Sequence, residues 1–204
     1  MLSADEARRY FKAVIENVAD FVDDAAVLAV RSARHAHGLL VLAQEELGKA
    51  VWISEVFAAD WAVGENNERD FNPGSPRGHL TKYMVMYEHT ELNSAVRAAQ
   101  YMRPESAELP DSYLNRVKAE AARAASEAHE SQLKAFYVDL PLPEWDDYSV
   151  PPQFETRAAL DGVAALAHGI THLLDDVPAT LSTDEESVYS RMALLAGRAA
   201  IDAN

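Results

Sequence analysis

Residues 31–57, RSARHAHGLLVLAQEELGKAVWISEVF, set the strongest limit on what this chain can fold into. The stretch holds no proline, so it can run as one helix, weakened at Gly38 and Gly48. Leu39, Leu42, Ala43, Leu47, Ala50, Ile53 and Phe57 recur at helical spacing and form an apolar stripe. Yet charged or titratable groups crowd its start (Arg31, Arg34, His35, His37) and its middle (Glu45, Glu46, Lys49). An apolar helix that carries charge along its length must find partners for it, on neighbouring helices or on a ligand.

The remaining chain supplies those neighbours. Ser3-Ala-Asp-Glu6 reads as a capping box. After it, Ala7, Phe11, Val14, Val18, Phe21, Ala25 and Leu28 keep one apolar face, which predicts a helix over about residues 4–30. The next helix follows closely and runs to about Ala62. Gly64 to Gly78 is rich in glycine, proline and asparagine and reads as a loop. Leu80, Tyr83, Met84 and Tyr87 open a helix that continues to about Met102. Asp111 is a plausible N-cap for an alanine-rich helix to about Phe136. Residues 137–152, YVDLPLPEWDDYSVPP, hold four prolines and cannot be helical, so they predict a surface loop against the bundle. A helix over about Gln153–Val177 stops at Pro178. Ser182-Thr-Asp-Glu185 is a second capping box, opening a helix with Val188, Met192, Leu195 and Ala199 on one face. No strand pattern or internal repeat is present. The expectation is all-α: a single helical domain over 1–204, a bundle of five to six helices with a four-helix core, closed by C-terminal helices in 153–204.

Composition removes several classes of function. With 204 residues, 49% of them hydrophobic, the chain can bury a core unaided. It has no cysteine, hence no disulfide, zinc–thiolate site or thiol nucleophile. Neither a signal peptide nor a membrane-spanning run is readable, which points to the cytoplasm and no membrane partner. A net charge of −15 argues against generic binding to nucleic acid, while leaving room for a local basic site.

Three constellations could carry chemistry. No glutamate has a histidine three residues later, so a ferritin-like di-iron site is excluded, and no cofactor fingerprint is present. Asp161, His168, His172 and Asp175 are spaced 7, 4 and 3 and share a helix face; this is a weak metal candidate, better read as a solvated face. The second constellation pairs arginine with histidine. A histidine can move a proton on or off a ribose or leaving oxygen, and an arginine can stabilise charge on phosphorus, so no metal is needed. Arg31 with His37 and Arg123 with His129 have suitable spacing. Arg34 and His35 enrich the first pair, which lies where the chain turns between helices. The third is Glu45, Glu46 and Lys49 with His79 and Lys82. Glu45 and Lys49 are four apart in the favourable order. A partly buried acid here wants a cation from the next helix, His79 or Lys82, and a structural polar cluster is preferred to a catalytic one.

The segment from His35 through Leu42-Ala-x-Glu-Glu-Leu-Gly-Lys-Ala50 resembles the signature of the AbiV-type abortive infection family. His79-x-x-Lys82 resembles its basic motif, and Phe136-Tyr-Val-Asp139 with the following tryptophan and Pro151-Pro152 resembles its proline-rich stretch. The resemblance covers about residues 5–157 and implies a HEPN-like fold and a bacterial phage-defence protein that blocks growth or translation. It implies a homodimer, a phage-encoded protein partner and, by analogy with metal-independent ribonucleases of the HEPN class, RNA. It marks Glu45, Glu46, Gly48, Lys49, His79, Lys82, Tyr137 and Asp139 as family positions. In that class the Arg/His motif usually lies in a late helix with a polar residue after the arginine; here Arg31 precedes Ser32 but lies early, and Arg123 lies later but precedes Ala124. As a nuclease, the chain would use His35 or His37 as acid/base and Arg31 or Arg34 as phosphate clamp, with Lys49, His79 and Lys82 orienting the substrate. The alternative is a non-enzymatic helical binder that recognises a phage protein or sequesters a host factor, using Leu140, Leu142, Trp145 and Tyr148 of the 137–152 loop as anchors.

Overall fold

The computed structural model describes residues 1–71, 82, 85–87, 110–136, 155–177 and 183–202. They form five helices: α1 (Ala4–Ala29), α2 (Ala33–Val63), α3 (Asp111–Phe136), α4 (Thr156–Asp176) and α5 (Thr183–Asp202). Residues 82 and 85–87 are also helical. Two minimal strands, β1 (Leu2–Ser3) and β2 (Glu68–Arg69), pair antiparallel. The fold is the expected all-α bundle. Among the described residues no helix is long and apolar enough to cross a membrane.

α1 starts where its capping box says it should. The Ser3 hydroxyl accepts from the Glu6 backbone N–H at 3.3 Å, and the Glu6 carboxylate accepts from the Ser3 N–H at 3.0 Å. The Ser3 N–H bond, with a second from the Ser3 hydroxyl to the same carboxylate at 2.8 Å, favours the charged form and holds Glu6 below its usual range. Its buried face is wider than a single stripe. Ile15, Ala19, Val22 and Ala29 are buried, whereas Phe21 and Leu28 are only half-buried at its edge.

α2 is enclosed on more sides, because α1, α3 and α4 all pack against it. That enclosure explains the long apolar run of its sequence. The main core is built by α1, α2, α4 and α5, with Phe71 and Met86 added to it. Fully buried Phe11 and Phe57 each contribute roughly 1.5–3 kcal/mol of transfer free energy. α3 lies to one side, burying Val117, Ala121 and Ala125. Pro110, not Asp111, begins α3: its carbonyl accepts from the N–H groups of Tyr113 and Leu114, and Asp111 is already helical. The capping box at Ser182, most of the helix expected over 80–102, and the 137–152 loop lie outside the described residues.

A clamp joins the start of α1 to the chain leaving α2. Gly64 ends α2 in the left-handed conformation, φ 71°, where a side chain would be strained. The chain then turns back, so Ala4 N–H donates to the Asn67 carbonyl and Asp5 N–H to the Asn66 side chain. Trp61 Nε1 donates to the Ala4 carbonyl at 2.9 Å, and the Arg8 guanidinium lies 5.1 Å from the Trp61 ring centre. Arg69 forks onto both oxygens of buried Asp60, at 2.9 and 2.8 Å. Hydrogen bonds from Arg69 and Asn67 hold the Asp60 carboxyl below its ordinary range. The four-residue strand pair is too short to produce an alternating pattern, which is why the sequence did not announce it.

Candidate functional site

The turn between α1 and α2 is made by backbone bonds. Arg31 and Ser32 N–H groups both donate to the Leu28 carbonyl, and Ala36 N–H donates to Ser32 to begin α2. Ser32 occupies the N-cap, but its hydroxyl caps no backbone group and instead meets His35 Nδ1 at 2.8 Å. Arg31 and His35 are exposed and Arg34 is half-buried. His37 takes a different course. It faces inward, and burial lowers its pKa below the ordinary 6.5, so the neutral imidazole dominates at pH 7. The group that spacing assembles is thus divided between the surface of a turn and the interior.

His37 lines a cavity of about 200 Å³. α2 also contributes Leu40, Val41 and Gln44 to it, and Tyr87 lines it too. α3 supplies Ala124 and Glu127, and α4 supplies Ala158 and Gly162. Burial pushes the Tyr87 phenol up; a hydrogen bond with Gln44 opposes this, and the charge of Glu127 adds to it. Glu127 is 64% exposed and pairs with Arg123 at 3.2 Å. The cavity therefore combines a neutral imidazole, an amide, a phenol and a carboxylate on apolar walls. Those groups can exchange protons and form directional hydrogen bonds. Gln44, Tyr87 and Glu127 were not among the sequence candidates. Gln44 lies seven residues after His37 on the same helix face, a usable signal. Tyr87 and Glu127 come from other segments and gave none. Arg123 does not line this cavity but pairs with Glu127, which does, while the side chain of His129 lies outside the described residues.

The mid-helix charges close onto each other. Lys82 Nζ donates to buried Glu45 at 2.8 Å; the two side chains are 16% and 7% exposed. Lys49 pairs with Glu46, one turn back. The i,i+4 pair of Glu45 with Lys49 expected from spacing is therefore replaced, because Glu45 points to the neighbouring helix and Lys49 turns to the other acid. Gly48 makes this possible: a Cβ there would lie 2.1 Å from the Lys82 carbonyl oxygen. The glycine lets the backbone carrying Lys82 press directly on α2. Glu45, Gly48 and Lys82 thus act together as a packing joint. His79, Tyr137 and Asp139 lie outside the described residues.

On α4, Asp161, His168, His172 and Asp175 are all exposed. Asp161 meets Arg157 at 3.8 Å, and the two imidazole centres are 6.4 Å apart in a stacked arrangement. Among the described residues, no group of three or more His, Asp or Glu side chains is placed to hold a metal ion.

The family model described as AbiV, of the HEPN type, matches residues 6–172. That span contains most of α1, all of α2, the Glu45–Gly48–Lys82 joint, all of α3 and most of α4. No curated protein and no solved structure matches significantly. A match over most of the chain, carried by the all-α bundle it requires, places this protein in the AbiV family of HEPN-like proteins, which is tied to abortive infection and phage defence.

Proposed function

We propose that this chain is an abortive-infection effector that acts in the cytoplasm, as a homodimer answering to a phage-encoded protein, and blocks translation by cutting RNA without a metal. The family match supports the defence role. One observation favours the chemistry: His37, kept neutral by burial, lines a cavity shared with Gln44, Tyr87 and Glu127. A neutral imidazole can take the proton of a ribose 2′-hydroxyl. The 2′-oxygen then bonds to phosphorus, the bond to the 5′-oxygen breaks, and the leaving oxygen takes a proton from solvent, because His35 faces the outside of the turn and does not line the cavity. A 2′,3′-cyclic phosphate and a 5′-hydroxyl result. Arg31 and Arg34, at the turn and not on the cavity wall, would clamp a flanking phosphate of the same RNA. Lys82 and Lys49 are committed to Glu45 and Glu46, so their part in this reading is to hold α2 in place.

The test is incubation of the purified protein with total bacterial RNA and tRNA in EDTA, beside a His35/His37 double-alanine variant. Cleavage by the parent alone, with cyclic phosphate ends, is the expected result. Cleavage by both proteins would remove these histidines from the reaction. The second reading is the non-enzymatic binder, favoured by the net charge of −15, which repels RNA. No cleavage with or without the phage partner, joined to toxicity that survives loss of both histidines, would establish it instead.

A further inference from the structure

We propose that the cavity between α2, Tyr87, α3 and α4 is a seat for a single guanine base. Its volume of about 200 Å³ is below the roughly 300–1,000 Å³ of pockets for drug-sized ligands, so it suits one ring system rather than a whole nucleotide. Its apolar walls come from branched Leu40 and Val41 on α2 and from small Ala124, Ala158 and Gly162 on α3 and α4. Apolar walls with few polar groups suit the π-face that every base presents.

The polar groups choose among the bases. Glu127 offers two acceptor oxygens, and guanine presents two adjacent donors on its Watson–Crick edge, N1–H and the 2-amino group. Adenine, cytosine and uracil present no such adjacent pair. Gln44 can donate to the guanine O6 while keeping its bond with Tyr87, since an amide carries two donors and an acceptor. Guanine carries its sugar on N9, across the ring from the edge that Glu127 would hold, so the remainder of a nucleotide would leave the cavity on the side away from Glu127.

The guanine could belong to RNA or to a free guanine nucleotide. Only the first of these rests on the RNA reading above, in which the seat would fix the base beside the cleaved bond. The experiment separates the two sources. The full chain is titrated calorimetrically with guanosine 5′-monophosphate, adenosine 5′-monophosphate, and the pentanucleotides UUGUU and UUAUU, 2′-O-methylated so that they cannot be cut. The expected result is a preference for guanine over adenine of about tenfold or more, the order expected of one bidentate contact. Binding of the mononucleotide alone identifies the free nucleotide as ligand; binding of the pentanucleotide alone identifies RNA. Glu127→Gln should erase the preference, because an amide replaces one acceptor by a donor. Ala124→Leu should abolish binding by filling the cavity. Thermal melts check that both variants fold; Glu127 is exposed, so its variant decides the matter if Ala124→Leu does not fold. Equal affinity for guanine and adenine, no binding of either, or a preference untouched by Glu127→Gln overturns the proposal. RNA cleavage without guanine binding sinks the seat and leaves the nuclease standing. Guanine binding without cleavage does the reverse.

Discussion

Glu45 and His37 lie roughly two turns apart on one helix, yet their surroundings differ in kind. Around Glu45, each charge is spoken for: Lys82 crosses from the next helix, Lys49 takes Glu46, and Gly48 removes the side chain that would keep the backbones apart. Around His37, titratable groups line a cavity: Glu127 pairs with Arg123 and Tyr87 with Gln44, and a volume of about 200 Å³ is left beside them. The closed cluster can stabilise the bundle but has no room for a substrate. The open one leaves volume beside a desolvated imidazole. Burial alone therefore does not mark a working site; room beside the buried group does.

The comparison can be broken hardest at the closed cluster. Lys82→Met should cost about 3–5 kcal/mol in urea unfolding, because it strands the Glu45 carboxylate in the interior. Adding Glu45→Leu to it should restore much of that loss, since an apolar pair leaves no buried charge. An unchanged midpoint for the single variant would mean that the pair does not close in solution. Gly48→Ala comes next. Replacing a helical glycine should gain up to about 1 kcal/mol of propensity, but the contact with the Lys82 backbone should outweigh it and leave a net loss of about 1–3 kcal/mol by thermal unfolding.

The open cluster should respond to pH. Burial lowers the folded-state pKa of His37 below 6.5, so under more acidic conditions the unfolded chain binds the extra proton more readily. Stability from this group is complete above pH 6.5 and falls as the pH drops through that value toward the folded pKa. His37→Leu should flatten this part of the Tm profile between pH 7.5 and 5.5; a slope identical to the parent's would show that His37 is not desolvated. The smallest effect belongs to His35→Ala, within about 0.5 kcal/mol by chemical denaturation, because its bond to Ser32 is exposed.

Legibility followed the distance over which each feature is encoded. The Ser3–Glu6 capping box and the α1 face are local, and both stood in the sequence as the structure has them. The need of a mid-helix acid for a cation from the following helix was also readable, and Lys82 was one of two candidates. Which acid would take it was not. Glu45 and Glu46 are adjacent, and only the approach of the second backbone at Gly48 distinguishes them. The cavity was the least legible feature. His37 was in view, but its partners Tyr87 and Glu127 stand 50 and 90 residues further along the numbering, brought together only by packing.

The clamp at the far end of α2 bears on how the molecule opens. Chain ends ordinarily fray first. Here the contacts of Asp5 with Asn66 and of Trp61 with Ala4 bridge 61 and 57 residues of sequence, so the first helical turn cannot loosen without releasing the exit of α2. The α1–α2 hairpin, fastened at its turn and at its tips, should behave as one cooperative unit. In native-state hydrogen exchange, the amides of Ala4 and Asp5 should acquire deuterium together with that of Glu65, which donates to the Asp60 carbonyl, and far more slowly than a chain terminus does. Exchange of Ala4 and Asp5 at the rate of an open terminus would show that the hairpin is hinged at its tip.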